Sequence, residues 1–226
     1  MTAILIFLGT MILSALAAAR VKSTFLKYSQ VDAGSGYTGA QAASYILSQA
    51  GINNVDIEEG GGFLGDHYDP INRRLVLSSD NYHGKSCAAL GIAAHECGHA
   101  IQHKAQYAPL NIRMAAVSVT GVASQVLLWL PILGVFTGIL GSYTAAWIAA
   151  SAWGVLMLFN LITLPVEFDA SRRAKIILLE ARLVHSDRIG GVIKTLDAAA
   201  WTYVAAFITT LVYFLLHILP LLNNRK

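Results

Sequence analysis

Residues 114–166 read MAAVSVTGVASQVLLWLPILGVFTGILGSYTAAWIAASAWGVLMLFNLITLPV, 53 residues without an Asp, Glu, Lys or Arg. As one helix they would extend about 80 Å, far beyond a hydrocarbon core of about 30 Å. The segment must therefore fold back on itself. Pro131, Gly134, Gly138 and Gly141 mark the region of the break. One span is expected at about 113–135 and another at about 143–164, joined by a short turn. Trp129, Tyr143 and Trp147 are placed to act as interfacial aromatics.

Two further stretches, 1–19 and 198–224, also lack charge. The chain is 55% apolar and 13% charged, with a mean hydropathy of +0.55. Ordinary soluble domains carry about 25% charged residues. The composition therefore predicts an α-helical integral membrane protein with about four transmembrane helices and one small soluble α+β domain. Residues 3–19 would make about 26 Å of helix. A cleaved signal peptide and an uncleaved anchor compete there. No basic region precedes the apolar run, and Arg20, Lys22 and Lys27 follow it, which favours the anchor. The last span is expected at about 198–219.

Of 16 Lys and Arg, eight lie in 20–113 and six in 167–197. With the N-terminus outside, four spans put both blocks on the cytoplasmic side and leave only Arg225 and Lys226 outside. The expected organisation is an N-terminal anchor at 1–20 and a cytoplasmic α+β domain at 21–112. A transmembrane hairpin follows at 113–165, then a cytoplasmic helical segment at 166–197 and a C-terminal transmembrane helix with a short tail at 198–226. The net charge of +3 is no argument for nucleic acid, because the basic residues flank apolar spans. The expected surroundings are the bilayer of a cell membrane, crossed several times.

Within the first charged block stands His95-Glu96-Cys97-Gly98-His99. On a helix, His-Glu-x-x-His is a zinc-hydrolase pattern. Residues four apart share a helix face, so His95 and His99 can meet one ion. Glu96, one step round, can serve as the catalytic base for a zinc-activated water. The alternative is a helix with two unrelated histidines, which would leave Glu96 a buried charge without purpose. The helix should run from near Ser86 to about Gln106. Cys87 and Cys97 are about 15 Å apart along it, too far for a disulfide. Cys97 points away from both histidines and reads as a small core residue. His103 lies about 12 Å from His95 on a straight helix, so it is not expected to be a ligand. His67 and His83, in polar loops, read as solvated.

Ahead of this helix, 38–50 reads as a helix with a Thr38/Gln41 capping box, an apolar face of Ala42, Tyr45, Ile46 and Ala50, and a stop at Gly51. Val55–Glu58 and Arg74–Ser78 read as strands. One of them could pair with an extended peptide at its edge, or the pair could serve packing alone. Asp66 and Asp69 are expected to stabilise the turn before Pro70.

A catalytic zinc usually has three protein ligands. Glu167 is the best candidate for the third, as the first charge after an apolar span, where a carboxylate is costly unless compensated. On a helix Asp169 points elsewhere, while Ser171 shares the Glu167 face and could back a ligand. The competing reading pairs Glu167 with Arg172 or Arg173.

His95 to Gln102, Asp66-His67-Tyr68-Asp69-Pro70 and Glu167-Phe168-Asp169-Ala170-Ser171, with the spans, resemble the YugP-like family of bacterial membrane zinc metallopeptidases across nearly the whole chain. The resemblance implies Zn2+ held by His95, His99 and Glu167, with Glu96 as base. The site is also similar to those of HtpX-like membrane proteases and CAAX prenyl proteases, which carry Glu-x-x-Ala-Asp after a span. Ser171 stands where that Asp would be. The expected activity is peptide-bond hydrolysis on membrane proteins or membrane-associated peptides, at the cytoplasmic surface, with room for a membrane partner protein. Tyr68, His67, His185 and Arg182 are candidates to stabilise the oxyanion. A zinc hydrolase for lipids or other amides, and a zinc-binding scaffold, are the rival readings.

Overall fold

The computed structural model describes residues 2–60, 62, 65–135, 137–138 and 140–223. Arg225 and Lys226, expected outside, lie outside the described residues. In chain order the elements are α1 (Thr2–Tyr28), α2 (Gly39–Gln49), β1 (Asp56–Gly60), β2 (His67–Asp69), β3 (Arg74–Ser78), the single turn α3 (Ser79–Tyr82), α4 (Cys87–Lys104), α5 (Ala108–Leu130), α6 (Ser142–Glu180) and α7 (Ile189–Asn223). Helices α1, α5, α6 and α7 are long and apolar enough to cross a membrane, consistent with a membrane protein. They pack in the spatial order α5, α6, α7, α1. Their outward faces carry exposed Leu, Ile, Val and Phe, as lipid-facing surfaces do.

The expected break between the second and third spans is present. Pro131–Val135 forms a short π-helix after α5, and Gly141 caps the start of α6. The span expected at about 143–164 and the helical segment expected from 166 form one continuous helix. Helix α6 runs through Pro165 to Glu180. A proline removes one backbone donor, which a well-packed helix tolerates. The boundaries read at 165 and 197 therefore fall inside α6 and α7, and those at 20 and 112 fall inside α1 and α5. Both α6 and α7 carry on past their charge-free stretches and form part of the domain core.

That core gathers Ile46 and Leu47 of α2, Leu75 and Leu77 of β3, Leu90 of α4, Leu178 of α6, and Val192 and Leu196 of α7. Thr38 caps α2 through the expected box, accepting from the Gln41 N–H while the Gln41 amide oxygen accepts from the Thr38 N–H. The buried face of α2 is Ala42, Ala43, Ile46 and Leu47; Tyr45, expected inward, is exposed. The sheet has three strands in the order β1-β3-β2, with β1 parallel and β2 antiparallel to β3. Strand β1 lies slightly later than expected, and β2 falls where a turn was expected.

Helix α4 is buried on nearly every side. Its N-terminus is capped by Ser86, whose hydroxyl accepts from the Ala89 N–H at 3.1 Å. It touches α2 on one flank and α6 and α7 on the other. Small residues permit this crowding. A Cβ added at Gly98 would lie 2.8 Å from the Ala170 carbonyl oxygen of α6.

Gly98→Ala is therefore expected to destabilise the protein by about 1–3 kcal/mol through overpacking. Gly121 of α5 has open space around it, so Gly121→Ala should be neutral or stabilising by up to about 1 kcal/mol. Thermal unfolding in detergent compares the two, and equal melting temperatures would show that α4 and α6 are not in close contact.

Candidate metal centre

Helix α4 sets His95 and His99 one turn apart, with ring centroids 4.7 Å apart and the rings nearly perpendicular at 83°. Helix α6 brings Glu167 to both. Its Oε2 lies 3.2 Å from His95 Nε2 and 3.6 Å from His99 Nε2. The three ligand atoms all lie within 4.8 Å of one another, the one such group found among the described residues. Tetrahedral zinc with bonds of about 2.05 Å puts neighbouring ligand atoms about 3.3 Å apart. The two distances from Glu167 fall close to that edge, and two imidazole nitrogens with a carboxylate oxygen form a donor set typical of zinc hydrolases. The residues present fit the metal.

The far sides of these groups are also held. His95 Nδ1 lies 3.1 Å from the Ser171 hydroxyl, and His99 Nδ1 lies 3.1 Å from the Gln102 amide oxygen. When both Nε2 atoms bind a metal, each Nδ1 keeps the proton and donates outward. Fully buried Gln102 in turn donates to the Val166 carbonyl at 2.8 Å and to Asp169 at 3.0 Å. Arg113 of α5 donates to Glu167 Oε1 at 2.7 Å, leaving Oε2 for the histidine side. Glu167 is thus paired with Arg113. Arg172 and Arg173, the alternatives read from the sequence, pair with Asp169.

Glu96 lines the same cleft and accepts a hydrogen bond from the Tyr68 backbone N–H at 3.0 Å. Strand β2 therefore fixes the carboxylate that the sequence reads as the base. The Tyr68 hydroxyl is bound to His103 Nδ1 at 2.9 Å, which accounts for His103 away from the centre. The Cys97 thiol is fully buried and donates to the Ala43 carbonyl, and burial pushes its pKa up. Burial alone would lower the His99 pKa. Its hydrogen bond with Glu167 and the negative charges of Glu96 and Glu167 outweigh that and raise it.

The cleft has a volume of about 450 Å3 and runs from His95, Glu96 and Glu167 between α1 and α7, past Phe25, Leu196 and Ala199. Of the four oxyanion candidates, none lines it. His67 is exposed beside Gly65, His185 is exposed beside Asp187, and Arg182 sits in the turn after α6. Tyr203 of α7 lines it instead. Asp66, expected to serve its own turn, accepts from Ser78 and Asn81, and Asp69 alone holds the turn through the Ile71 and Asn72 N–H groups. The sequence reading missed Arg113, Gln102 and Tyr203. A signal existed for two of them. Gln102 lies three residues after His99, on its face, and Arg113 and Glu167 are the charges that bound the uncharged stretch 114–166.

Residues 3–222 match the model of a family described as "Putative neutral zinc metallopeptidase". The chain is 42% identical over 206 residues to the "Putative membrane protease YugP" of Bacillus subtilis (strain 168), covering 91% of this chain and 90% of that protein. No solved structure matches.

Gln102→Leu removes the acceptor behind His99 and leaves the Val166 carbonyl without its donor. Zinc affinity is expected to fall about 10–100-fold, as read by competition with a metallochromic chelator. Unchanged affinity would mean that Gln102 only packs. Because a proton competes for His99 and its pKa is raised, affinity should begin to weaken while the pH is still above about 6.5, the value of a free imidazole.

Proposed function

This chain belongs to the neutral zinc metallopeptidase family, and we propose that it hydrolyses peptide bonds at a membrane surface, with His95, His99 and Glu167 holding Zn2+ and Glu96 as general base. One observation carries the reading. Two members of a metal-competent triad, His95 and Glu167, line one cleft between apolar helices together with a further carboxylate, Glu96. A purely structural metal site needs no further carboxylate in the cleft beside its ligands.

Zinc, when bound, supplies Lewis acidity that brings a coordinated water into the neutral pH range. The protein's own groups do the rest. Glu96 takes a proton from the attacking water and delivers it to the leaving amine. The Tyr68 N–H holds the Glu96 carboxylate toward the cleft. Arg113 and the second-layer acceptors Ser171 and Gln102 fix the orientation of the three ligands.

The substrates in this reading are membrane proteins or membrane-associated peptides, because the cleft opens between two apolar helices. The cytoplasmic face is assigned from the basic residues that crowd one end of the spans.

Glu96→Gln should retain one zinc per chain and lose about 1000-fold or more in peptidase rate, the combined loss of acid and base roles. His99→Ala should lose both metal and activity. Zinc content and cleavage of casein and of a reconstituted membrane-protein panel read these outcomes. An active Glu96→Gln protein would sink the mechanism, and cleavage of casein alone would sink the substrate class.

Sidedness has its own test. Ile71 is 86% exposed and far from the ligands in sequence. In an Ile71→Cys protein whose buried Cys87 and Cys97 are replaced, an impermeant maleimide is expected to label inverted vesicles and spare intact cells. Labelling of intact cells would reverse the orientation.

A further inference from the structure

We propose that a second groove, between α1, α6 and α7, binds the phosphate head of an anionic phospholipid. The groove has a volume of about 740 Å3 and is lined by Arg20, Phe168, Arg172, Lys175, Trp201 and Val204, among others. It shares Ser171 and Ala200 with the metal cleft and so lies on the other side of one wall.

The three cations come from two helices. Lys175 is bridged to Asp197 at 2.6 Å and Arg172 to Asp169 at 2.5 Å. Arg20 makes no salt bridge among the described residues, and its guanidinium carbon lies 6.0 Å from the Trp201 ring centre. The three cations outnumber the two acids, which leaves Arg20 free to take a phosphate oxygen while Arg172 supplies a second planar donor.

The level of the groove argues for a lipid. Arg20 is the first charge after 1–19, Asp197 is the last before 198–224, and Arg172 and Lys175 follow soon after 114–166. All three helices pass from apolar to charged at this height, where a phospholipid headgroup lies. Beside the cations stand Phe168, Ile176 and Trp201, with 45%, 42% and 51% of their surfaces exposed. A free phosphate has no use for that apolar surface, whereas an acyl chain covers it. The site does not depend on the peptidase reading.

The test uses full-length protein, delipidated in neutral detergent and titrated with phosphatidylglycerol or phosphatidylcholine under native mass spectrometry. Phosphatidylglycerol should bind at least about tenfold more tightly, and Arg20→Gln and Arg172→Gln should each weaken it about fivefold. Lys194→Gln removes the same charge from an exposed position outside the groove and should leave binding unchanged. Equal binding of the two lipids overturns the proposal, as does an equal loss with Lys194→Gln. Displacement of the lipid by inorganic phosphate at matched concentration would assign the site to a soluble anion instead. Arg172→Gln takes one of three partners from Asp169, which Arg173 and Gln102 still hold, and a folding defect in that variant would make its loss of binding uninformative. Arg20→Gln breaks no salt bridge and decides the matter in that case.

Discussion

The structure depends on a carboxylate that has nowhere polar to go. Glu167 is 1% exposed, at the point where an apolar helix leaves its charge-free stretch. An uncompensated carboxylate there would cost several kcal/mol. It is instead met by three groups from two other helices: His95 and His99 of α4, and Arg113 of α5. Each must arrive within hydrogen-bonding or near-bonding distance. That requirement fixes how α4 and α5 sit against α6, and it explains why a glycine, Gly98, faces the α6 backbone between the two histidines.

The same constraint explains why α6 is so long. Had it ended near Pro165, Glu167 and Ser171 would have lain in a loop with no fixed relation to each other. Because the helix continues, they stay one turn apart on one face. One reaches the Nε2 side of the histidines and the other the Nδ1 side of His95. The continuation also gives the small domain much of its core, since Leu178 of α6 and Val192 of α7 pack with the sheet and α2. The spans and the domain are therefore not separable units. A sheet of three short strands would be a poor core alone, and the helix ends make up the deficit.

How much of this was legible in the sequence follows from the range of each interaction. Strong local signals read correctly: the uncharged stretches, the break after Pro131, the α2 capping box, and the spacing of His95 and His99. The meeting of Glu167 with the two histidines was legible through cost, because an isolated carboxylate at the end of a span needs a reason. Strand β2 was not legible. His67, Tyr68 and Asp69 show no apolar alternation, and only pairing with β3 makes them a strand. Tyr45 was misplaced because an aromatic ring was assumed to point inward, whereas the wide small-residue face of α2 already fills the contact. Arg113 was read as a flanking charge because charge counting gives sidedness and says nothing of partners. The continuity of α6 was hidden because the span and the helix after it were read as two segments divided where charge begins, and charge marks the membrane surface, not the end of a helix.

The supports behind the two imidazoles differ in a way that matters chemically. His99 leans on an amide oxygen that is itself held by the Val166 carbonyl and Asp169. His95 leans on a serine hydroxyl, which can rotate. Neither is backed directly by a carboxylate, the partner that most raises the basicity of an imidazole ligand. The anionic ligand, Glu167, shares its charge with Arg113. Glu96, Glu167 and Arg113 together leave one net negative charge, which a divalent cation would reverse to one positive. A ligand set this weakly donating leaves more of the cation's field for the groups in the open cleft, which is where an attacking water and a peptide carbonyl would have to sit. Ser171 thus leaves His95 with a neutral partner, and Arg113 offsets the charge of Glu167 from the opposite side.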